Sequence, residues 1–152
     1  AFLNDEQQAL AKEIAALLVE RNEKVCVAEG TAGGLISAAL LWVPGASRYY
    51  AGGGVVYTLN SRIQLAGVPA ETLENYRGTT PEMIATLAAG LAGPTGGRSG
   101  AAPGRATVGV SGPISRTEVY ETGVDDREAN MIDFATKALR YLRDAIAEVN
   151  SK

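Results

Sequence analysis

The sequence contains no histidine, so any catalysis must use hydroxyl groups, carboxylates, lysine, arginine, tyrosine or backbone amides. That absence removes His-based triads, the usual zinc sites and histidine general bases. The first candidate group is Glu29-Gly30-Thr31, which follows an apolar, β-branched run and precedes Gly33 and Gly34. A strand, a tight turn and a helix start in this order point backbone N–H groups outward and favour an anion. A plain strand-to-helix connection is the alternative.

Three other groups of residues are also suited to contacting a ligand. They are Ser47 with Arg48, Tyr57 with the following Asn60-Ser61-Arg62, and the loop Gly93-Pro94-Thr95-Gly96-Gly97. Each candidate has a plainer alternative. Arg62 could clamp a phosphate or lie exposed on its helix, and the loop suits close approach to a ligand or a floppy connection. Thr31 could be a nucleophile or an N-cap, and Glu29 a base or an acceptor for nearby amides.

Hydrophobic periodicity and turn signals predict the elements that must position these groups. The pattern predicts helices over 5–21, 32–42, 61–66, from Thr80-Pro81 onward and from Asp125 to about 149, and strands over 24–28, 53–58, 105–111 and 117–122. Asn4 and Gln7 predict a capping box on the first helix, and Asn60 is expected to cap the short one. The last two strands are expected to form an antiparallel pair. The order predicts an α/β fold, a single three-layer α/β/α domain over 1–152 with a mixed central sheet.

Composition and net charge limit the class of protein and the partners that the chain is expected to have. A chain of 152 residues with 46% apolar and 20% charged residues is typical of one globular domain. A net charge of −3 without a basic cluster argues against nucleic acid or an anionic membrane as partner. With no signal peptide and no bilayer-spanning stretch, a cytoplasmic setting is expected. The single cysteine, Cys26, is expected to pack inside a buried strand, and the stretch from Gly90 to Gly104 is expected to lack regular structure.

Taken together, five segments resemble a known family in their order along the chain. They are residues 27–40, 43–50, 52–58, 65–69 and 92–97. The chain resembles the CinA C-terminal domain family over about residues 6–148. Characterised members of that family are nicotinamide-nucleotide amidases, which hydrolyse nicotinamide mononucleotide to nicotinic acid mononucleotide and ammonia. The resemblance implies a layered α/β domain, a pyridine mononucleotide as small-molecule partner, a homo-oligomer and no cofactor.

The resemblance also implies which positions form the site. The family's nucleophilic serine falls on Gly30, a second serine on Ser47, an aromatic residue on Tyr57 and the lysine on Arg62, with Thr31 as the nearest hydroxyl. The implied substrate-binding positions are Glu29, Gly33, Gly34, Gly93, Thr95 and Gly96. No metal site is implied.

Two of these positions depart from the family pattern. Glycine offers no nucleophile at position 30, and the arginine at position 62 stays protonated and cannot serve as a base. Thr31 lies one residue along, which turns a side chain by about 100° at a helix start. The sequence therefore predicts that the family's hydrolysis is impaired or lost. A catalytically silent mononucleotide-binding or interaction domain is the alternative function, and a scaffold without ligand is a third.

The segment before the glycine-proline loop is also shorter than in the family. There a longer helix and a central strand precede the loop, whereas Ala88-Ala89-Gly90 leads directly into it here. Either the protein has lost these elements, or residues between Ala88 and Gly93 are missing from the sequence. Loss of a central strand would expose sheet edges, which favours the second alternative. The family's hydroxyl residue before the loop falls on Ala89.

Overall fold

The computed structural model describes most of the chain. The described residues are 1–68, 70–73, 90–92, 105–110, 114 and 116–150. The elements are α1 (Asp5–Arg21), β1 (Val25–Glu29), α2 (Leu35–Trp42), a 3-10 turn (Ala46–Arg48), β2 (Tyr50–Val55), α3 (Leu59–Ala66), a second 3-10 turn (Ala70–Leu73), β3 (Gly90–Ala92), β4 (Arg105–Val110), β5 (Arg116–Glu121) and α4 (Arg127–Asn150). The predicted helix from Thr80-Pro81 and the loop with Gly93, Thr95 and Gly96 lie outside the described residues.

The five strands form one sheet in the order β2-β1-β3-β4-β5. β1 runs parallel to both of its neighbours, β2 and β3. β3 pairs antiparallel with β4, and β4 pairs antiparallel with β5. The prediction of a mixed sheet is therefore confirmed, as is the antiparallel pairing of the last two strands.

β3 corrects the expectation for the stretch that begins at Gly90. Residues Gly90–Ala92 form a short strand between β1 and β4, so the chain has the central strand that the sequence seemed to lack. Three residues are too few to show a period of two, and this one contains a glycine at its start. The rest of the stretch up to Gly104 lies outside the described part of the chain.

α1 begins where the capping box predicts. The Asn4 side chain accepts a hydrogen bond from the backbone N–H of Gln7, and the Gln7 side chain accepts one from the N–H of Asn4. The Gln7 amide then donates to the carbonyl oxygen of Ile132 and to the hydroxyl of Thr136, both on α4. The cap therefore fixes the start of α1 and also joins it to α4.

One layer of helices covers one face of the sheet. α1, α2 and α4 contact one another, α2 contacts β1 and β2, and α4 contacts β4. The largest buried side chains of this core are apolar or aromatic, namely Ile14, Leu40, Tyr49, Phe134 and Leu139. The three-layer arrangement and the single domain remain predictions. No helix in the described ranges has the length and apolar character needed to cross a bilayer.

Several predicted element bounds and caps differ from those in the structure. α2 begins at Leu35 rather than at residue 32, because Gly33 and Gly34 adopt positive φ angles of 66° and 101° and extend the turn. The N-cap of α3 is Thr58, not Asn60, and its hydroxyl accepts the N–H of Ser61 at 3.1 Å. β2 occupies Tyr50–Val55 rather than 53–58.

Cys26 does not pack in a buried strand as expected. It is exposed on β1, because Val27 and Glu29 point into the core from the other face of the strand. An apolar run does not reveal which of its alternate residues is covered.

Candidate functional site

The candidate site lies at the carboxyl ends of the three parallel strands. β1 is the middle one, and the chain reaches β2 on one side of it and later β3 on the other. This reversal of direction is a topological switch point, where open α/β sheets leave a crevice that binds ligands. Gly30 directly follows β1 at this edge, Val56 follows β2, and β3 ends at Ala92.

Glu29 shapes the turn from inside the protein. Its side chain is fully buried. One carboxylate oxygen accepts the backbone N–H groups of Gly34 at 3.1 Å and Ile36 at 3.0 Å, and the other accepts that of Ser37 at 2.9 Å. Glu29 thus satisfies the donors at the start of α2 that otherwise have no intrahelical partner.

This arrangement corrects the expectation that the start of α2 holds a ligand anion. The N–H groups of Gly34, Ile36 and Ser37 point at Glu29 and not outward, because an internal carboxylate occupies the place of an external anion. Contact of Glu29, Gly33 or Gly34 with a substrate stays a prediction.

The turn between β1 and α2 depends on the backbone conformation of its glycines. Its backbone closes through the N–H of Gly33, which donates to the carbonyl oxygen of Gly30 at 3.0 Å. A Cβ atom on Gly33 would lie 2.7 Å from the terminal methyl of Met131 on α4. Gly33 is therefore favoured by its positive φ, and a Cβ there would also require the flexible end of the Met131 side chain to shift. Sequence reasoning missed Met131 as part of this turn, because nothing in the local pattern links it to residue 33.

Thr31 is not the helix cap that its residue type suggests. Gly34 occupies the N-cap position, without a side-chain hydrogen bond. The Thr31 side chain is only 6% exposed, and its hydroxyl oxygen is buried without a hydrogen-bond partner in the structure. A hydroxyl in this position is removed from solvent.

Arg62 is buried, so the interpretation as an exposed helix arginine is wrong. It is 3% exposed, and its Nε donates to the carbonyl oxygen of Val56 at 3.2 Å. The N–H of Val56 in turn donates to the carbonyl oxygen of Glu29 at 2.7 Å. These bonds join α3, the end of β2 and the end of β1, and they bring the segments that carry Gly30 and Tyr57 side by side. Tyr57 is 53% exposed at this edge.

Ser47 lies at the opposite end of the same strands. Its carbonyl oxygen accepts a hydrogen bond from Nζ of Lys24, just before β1, at 3.0 Å. Tyr50 pairs with Val25, the first residue of β1, whereas Val55 pairs with Glu29, the last. The length of β1, roughly 13 Å at the usual rise per residue, therefore separates Ser47 from Gly30. The structure brings together Glu29, Gly30, Tyr57 and Arg62, and it does not bring Ser47 to them. Among the described residues no cluster of acidic or cysteine side chains is arranged to hold a metal ion.

Comparison with known sequences finds relatives along almost the whole chain. The sequence model described as the CinA C-terminal domain matches residues 7–91. A CinA-like protein of Desulforapulum autotrophicum is 31% identical over 157 residues, which cover 93% of this chain and 37% of the relative. A CinA-like protein of Parasynechococcus marenigrum is 35% identical over 152 residues, which cover 89% of this chain and 36% of the relative. The chain thus spans little more than a third of the curated relatives that it matches.

The first alignment also shows a difference in length. It extends over 157 residues, more than the 152 of this chain, so the relative carries residues that have no counterpart here.

Solved structures share the fold. A competence or damage-inducible protein from Enterobacter asburiae superposes with a TM-score of 0.82 at 23% identity, covering 94% of this chain and 99% of that one. A competence/damage-inducible protein from Agrobacterium tumefaciens gives a TM-score of 0.82 at 21% identity, covering 97% and 99%. The α/β class predicted from the sequence is confirmed. With its five ordered motifs, its matched residues and this shared fold, the chain belongs to the CinA C-terminal domain family.

Proposed function

We propose that this chain binds nicotinamide mononucleotide in the crevice at the carboxyl ends of β1, β2 and β3, as an amidase-type domain whose hydrolytic step is impaired or lost. The observation that carries the proposal is the place of Gly30. It follows β1 directly at the switch point, and the Glu29–Val56 hydrogen bond holds it beside Tyr57. An exposed tyrosine at the rim of a crevice offers a flat surface for a pyridine ring.

The hydrolytic step lacks a nucleophile and a base among the described residues of the site. Gly30 has no side chain, and the Thr31 hydroxyl is buried. Arginine is not a general base near neutral pH, and the Nε of Arg62 donates to the carbonyl oxygen of Val56. These features favour binding without turnover over amide hydrolysis. Hydrolysis is kept as the second candidate function because the family to which the chain belongs supports an amidase-like role.

Titration calorimetry with nicotinamide mononucleotide, paired with an ammonia-release assay, tests both candidates. We expect binding heat and no ammonia above the blank. Ammonia release by the natural sequence would establish hydrolysis and refute the argument from Gly30. An absence of binding heat would refute the proposal and favour a scaffold role.

Two variants then test whether Gly30 occupies the nucleophile position. Gly30 is not one of the glycines at positive φ in the described chain, so its backbone accepts a serine without strain. We expect Gly30→Ser with Arg62→Lys to release ammonia and Gly30→Ala with Arg62→Lys, the matched control, to release none. Equal release by the two pairs, or none by either, would show that the nucleophile position is elsewhere. Because Arg62 is buried, each variant is first compared with the parent by its unfolding midpoint.

A homo-oligomer belongs to the same proposal. Exposed apolar side chains lie at the end of β2 and on α3, with Val55 46% and Leu65 75% exposed. A partner subunit that packs on these elements would cover this apolar surface. Light scattering coupled to gel filtration would give the mass in solution. A monomer at micromolar concentration would refute this part of the proposal and leave the binding proposal intact.

A further inference from the structure

The two outer strands of the sheet differ in how well they are protected from pairing. The outer strands are β2 and β5, and an outer strand leaves the backbone groups of one side unpaired. Charged side chains on such a strand commonly prevent it from pairing with another chain. β5 carries three charges in six residues, namely Arg116, Glu118 and Glu121. β2 has the sequence Tyr-Ala-Gly-Gly-Gly-Val, without a charge or a proline, so β2 is the edge on which a further strand can pair.

The free side of β2 is open to solvent. Ala51, Gly53 and Val55 are exposed, and α3, which follows the strand, makes no extended contact with it. The N–H of Val56 donates to the carbonyl oxygen of Glu29 on β1. Because successive residues of a strand direct their backbone groups to opposite sides, Gly53 and Val55 direct theirs away from β1. These groups are the ones that a further strand would bond.

A second copy of the chain fits this edge because the strand is complementary to itself. Two strands related by a two-fold axis in one sheet run antiparallel. With Gly53 opposite Gly53 of the partner subunit, Val55 lies opposite Ala51 of the partner subunit. The exposed branched side chain then meets a small one at both ends of the pair, and the three glycines between them present no side chain. The assembly is closed, because its outer strands are then the two charged copies of β5.

Antiparallel pairing brings the start of one β2 to the end of the other. When this register is extended past the strands, Tyr57 lies beside Tyr49 of the partner subunit. The 3-10 turn that ends at Arg48 of the partner subunit therefore lies next to the crevice. Neighbouring strands are about 4.8 Å apart, so this turn is two strand spacings, or about 10 Å, to the side of β1 and Gly30.

This turn carries positive charge. Arg48 is exposed, and the Lys24 ammonium bonds to the carbonyl oxygen of Ser47 in the same turn. The nearest carboxylate along the chain, that of Glu23, forms an ion pair with Arg21. Pairing through β2 therefore places a cationic segment of one subunit beside the crevice of the other.

The crevice of a single subunit offers little net charge from its described residues. Glu29 and Arg62 are both buried at its edge, and their charges are opposite. The N–H groups of Gly34, Ile36 and Ser37 at the start of α2 already bond to Glu29. A nucleotide phosphate is an anion, and a guanidinium group binds phosphate through parallel hydrogen bonds.

We propose that two copies of this chain pair antiparallel through β2, and that Arg48 of the partner subunit binds the phosphate of the mononucleotide in the crevice. This inference rests on the proposed function. The dimer has two equivalent crevices. Each one takes Tyr57 from one subunit and Arg48 from the other.

Charge substitutions on β2 test the pairing and its register. The natural protein should have the mass of a dimer by light scattering. Ala51→Lys with Val55→Lys sets like charges opposite one another and should give a monomer, whereas Ala51→Lys with Val55→Glu sets opposite charges there and should keep the dimer. Val119→Lys, which adds a charge to β5, is the control and should remain dimeric. A monomeric natural protein, or equal masses for the two double variants, would overturn the pairing.

Mixing of two variants tests whether Arg48 acts across the interface. Arg48→Ala should weaken binding of nicotinamide mononucleotide roughly tenfold, and Tyr57→Ala should weaken it by removing the ring surface. In a mixed dimer one of the two crevices has both natural side chains. When subunits exchange at random, about a quarter of all crevices should therefore regain the natural affinity in calorimetry. A mixture that binds no better than the separate variants would overturn the inference.

Nicotinamide riboside, which lacks the phosphate, identifies the group that Arg48 contacts. Arg48→Ala should weaken the mononucleotide and leave the affinity of the riboside unchanged. The control is Arg140→Ala, because Arg140 is exposed and pairs with Glu6 between α4 and α1; it should leave both affinities unchanged. An equal loss for the two ligands in Arg48→Ala would show a structural role and overturn the phosphate contact.

The outcomes separate this inference from the proposed function. Binding of the mononucleotide by the natural protein, with no recovery in the mixture, would overturn the inference and keep the proposed function. No binding by the natural protein would overturn the proposed function and the role of Arg48, while the masses of the β2 variants would still test the pairing. Each variant is first compared with the natural protein by its unfolding midpoint.

Discussion

Arg62 and Val56 are joined by a hydrogen bond from the guanidinium Nε to the backbone carbonyl oxygen, at 3.2 Å. The arginine comes from the short helix α3, and Val56 is the first residue after β2. Because the N–H of Val56 donates to the carbonyl oxygen of Glu29, Arg62 helps to hold the ends of β1 and β2 together. A lysine would reach this carbonyl with one ammonium group and could not reproduce the fixed fork of a guanidinium.

Arg62→Met should destabilise the protein by about 1–3 kcal/mol, because it leaves the buried Val56 carbonyl without its donor. The matched control is Arg48→Met, since Arg48 is an exposed arginine in the first 3-10 turn. Urea unfolding of both variants would measure the difference. Equal free energies of unfolding would show that the Arg62–Val56 bond contributes nothing to stability.

Gly33→Ala should also destabilise the protein, by about 1–3 kcal/mol. The new Cβ would lie 2.7 Å from the Met131 methyl, and φ is 66°. Because the Met131 methyl ends a flexible side chain and can move aside, backbone strain should account for most of the loss, and Met131→Ala in the same chain should give only a small coupling in a double-mutant cycle. Gly54→Ala is the control, because open space surrounds its Cβ position. A large coupling energy would show that the Met131 side chain cannot move aside and that backbone strain is not the main cause.

Glu29→Ala should cost about 2–4 kcal/mol, because three N–H groups at the start of α2 lose their acceptor. The variant leaves a space shaped for a carboxylate, so added acetate should raise its melting temperature more than that of the natural protein. The comparison uses sodium chloride at equal ionic strength as the reference salt. If acetate and chloride act alike on the variant, the internal carboxylate does not occupy an anion position.

Tyr120 should make stability fall at high pH. Burial, together with the Glu118 carboxylate, raises the pKa of the Tyr120 hydroxyl from 10.0 to about 12. In the unfolded chain the hydroxyl loses its proton near its ordinary value, so deprotonation favours unfolding above that pH. This contribution to stability is complete below about pH 10 and is lost as pH rises toward about 12.

Denaturant unfolding at a series of alkaline pH values measures this loss. Tyr120→Phe should flatten the decline without removing it, since burial also raises the pKa of Tyr49 and Tyr141. Parallel curves for the variant and the natural protein would contradict the assignment to Tyr120.

The sequence predicts local structure well where a side chain and its partner are close along the chain. The Asn4–Gln7 capping box is an example, because both residues lie within one helical turn. The cap of α3 is Thr58, two residues before the predicted Asn60, since threonine also caps helices and the choice depends on how β2 ends. β3 was missed because Gly90–Ala92 becomes a strand only through its neighbours β1 and β4.

The site was predicted less completely, because its members are joined by contacts across elements. The proximity of Gly30 and Tyr57 follows from the strand order, and the resemblance had placed both in the site. The separation of Ser47 depends on the direction of β1 and β2 and not on residue type. The burial of Arg62 and the approach of Met131 to Gly33 are tertiary facts. A glutamate can accept hydrogen bonds from backbone N–H groups, but the three bonds of Glu29 are evident only from the fold of the turn around its side chain.

The junction of β1 with β3 has a consequence for how the sheet opens. Only the pairs Ala28–Gly90 and Glu29–Leu91 join the parallel half of the sheet to the antiparallel half in the described chain. Because this ladder is short, its amide hydrogens should exchange with deuterated solvent sooner than those of the six-pair ladder between β4 and β5. The helices α1, α2 and α4 contact one another, and α2 packs on the parallel half whereas α4 packs on the antiparallel half. The helices therefore also join the two halves of the sheet. Among the described residues, the helices therefore contribute to the cohesion between the halves in addition to the short β1–β3 ladder.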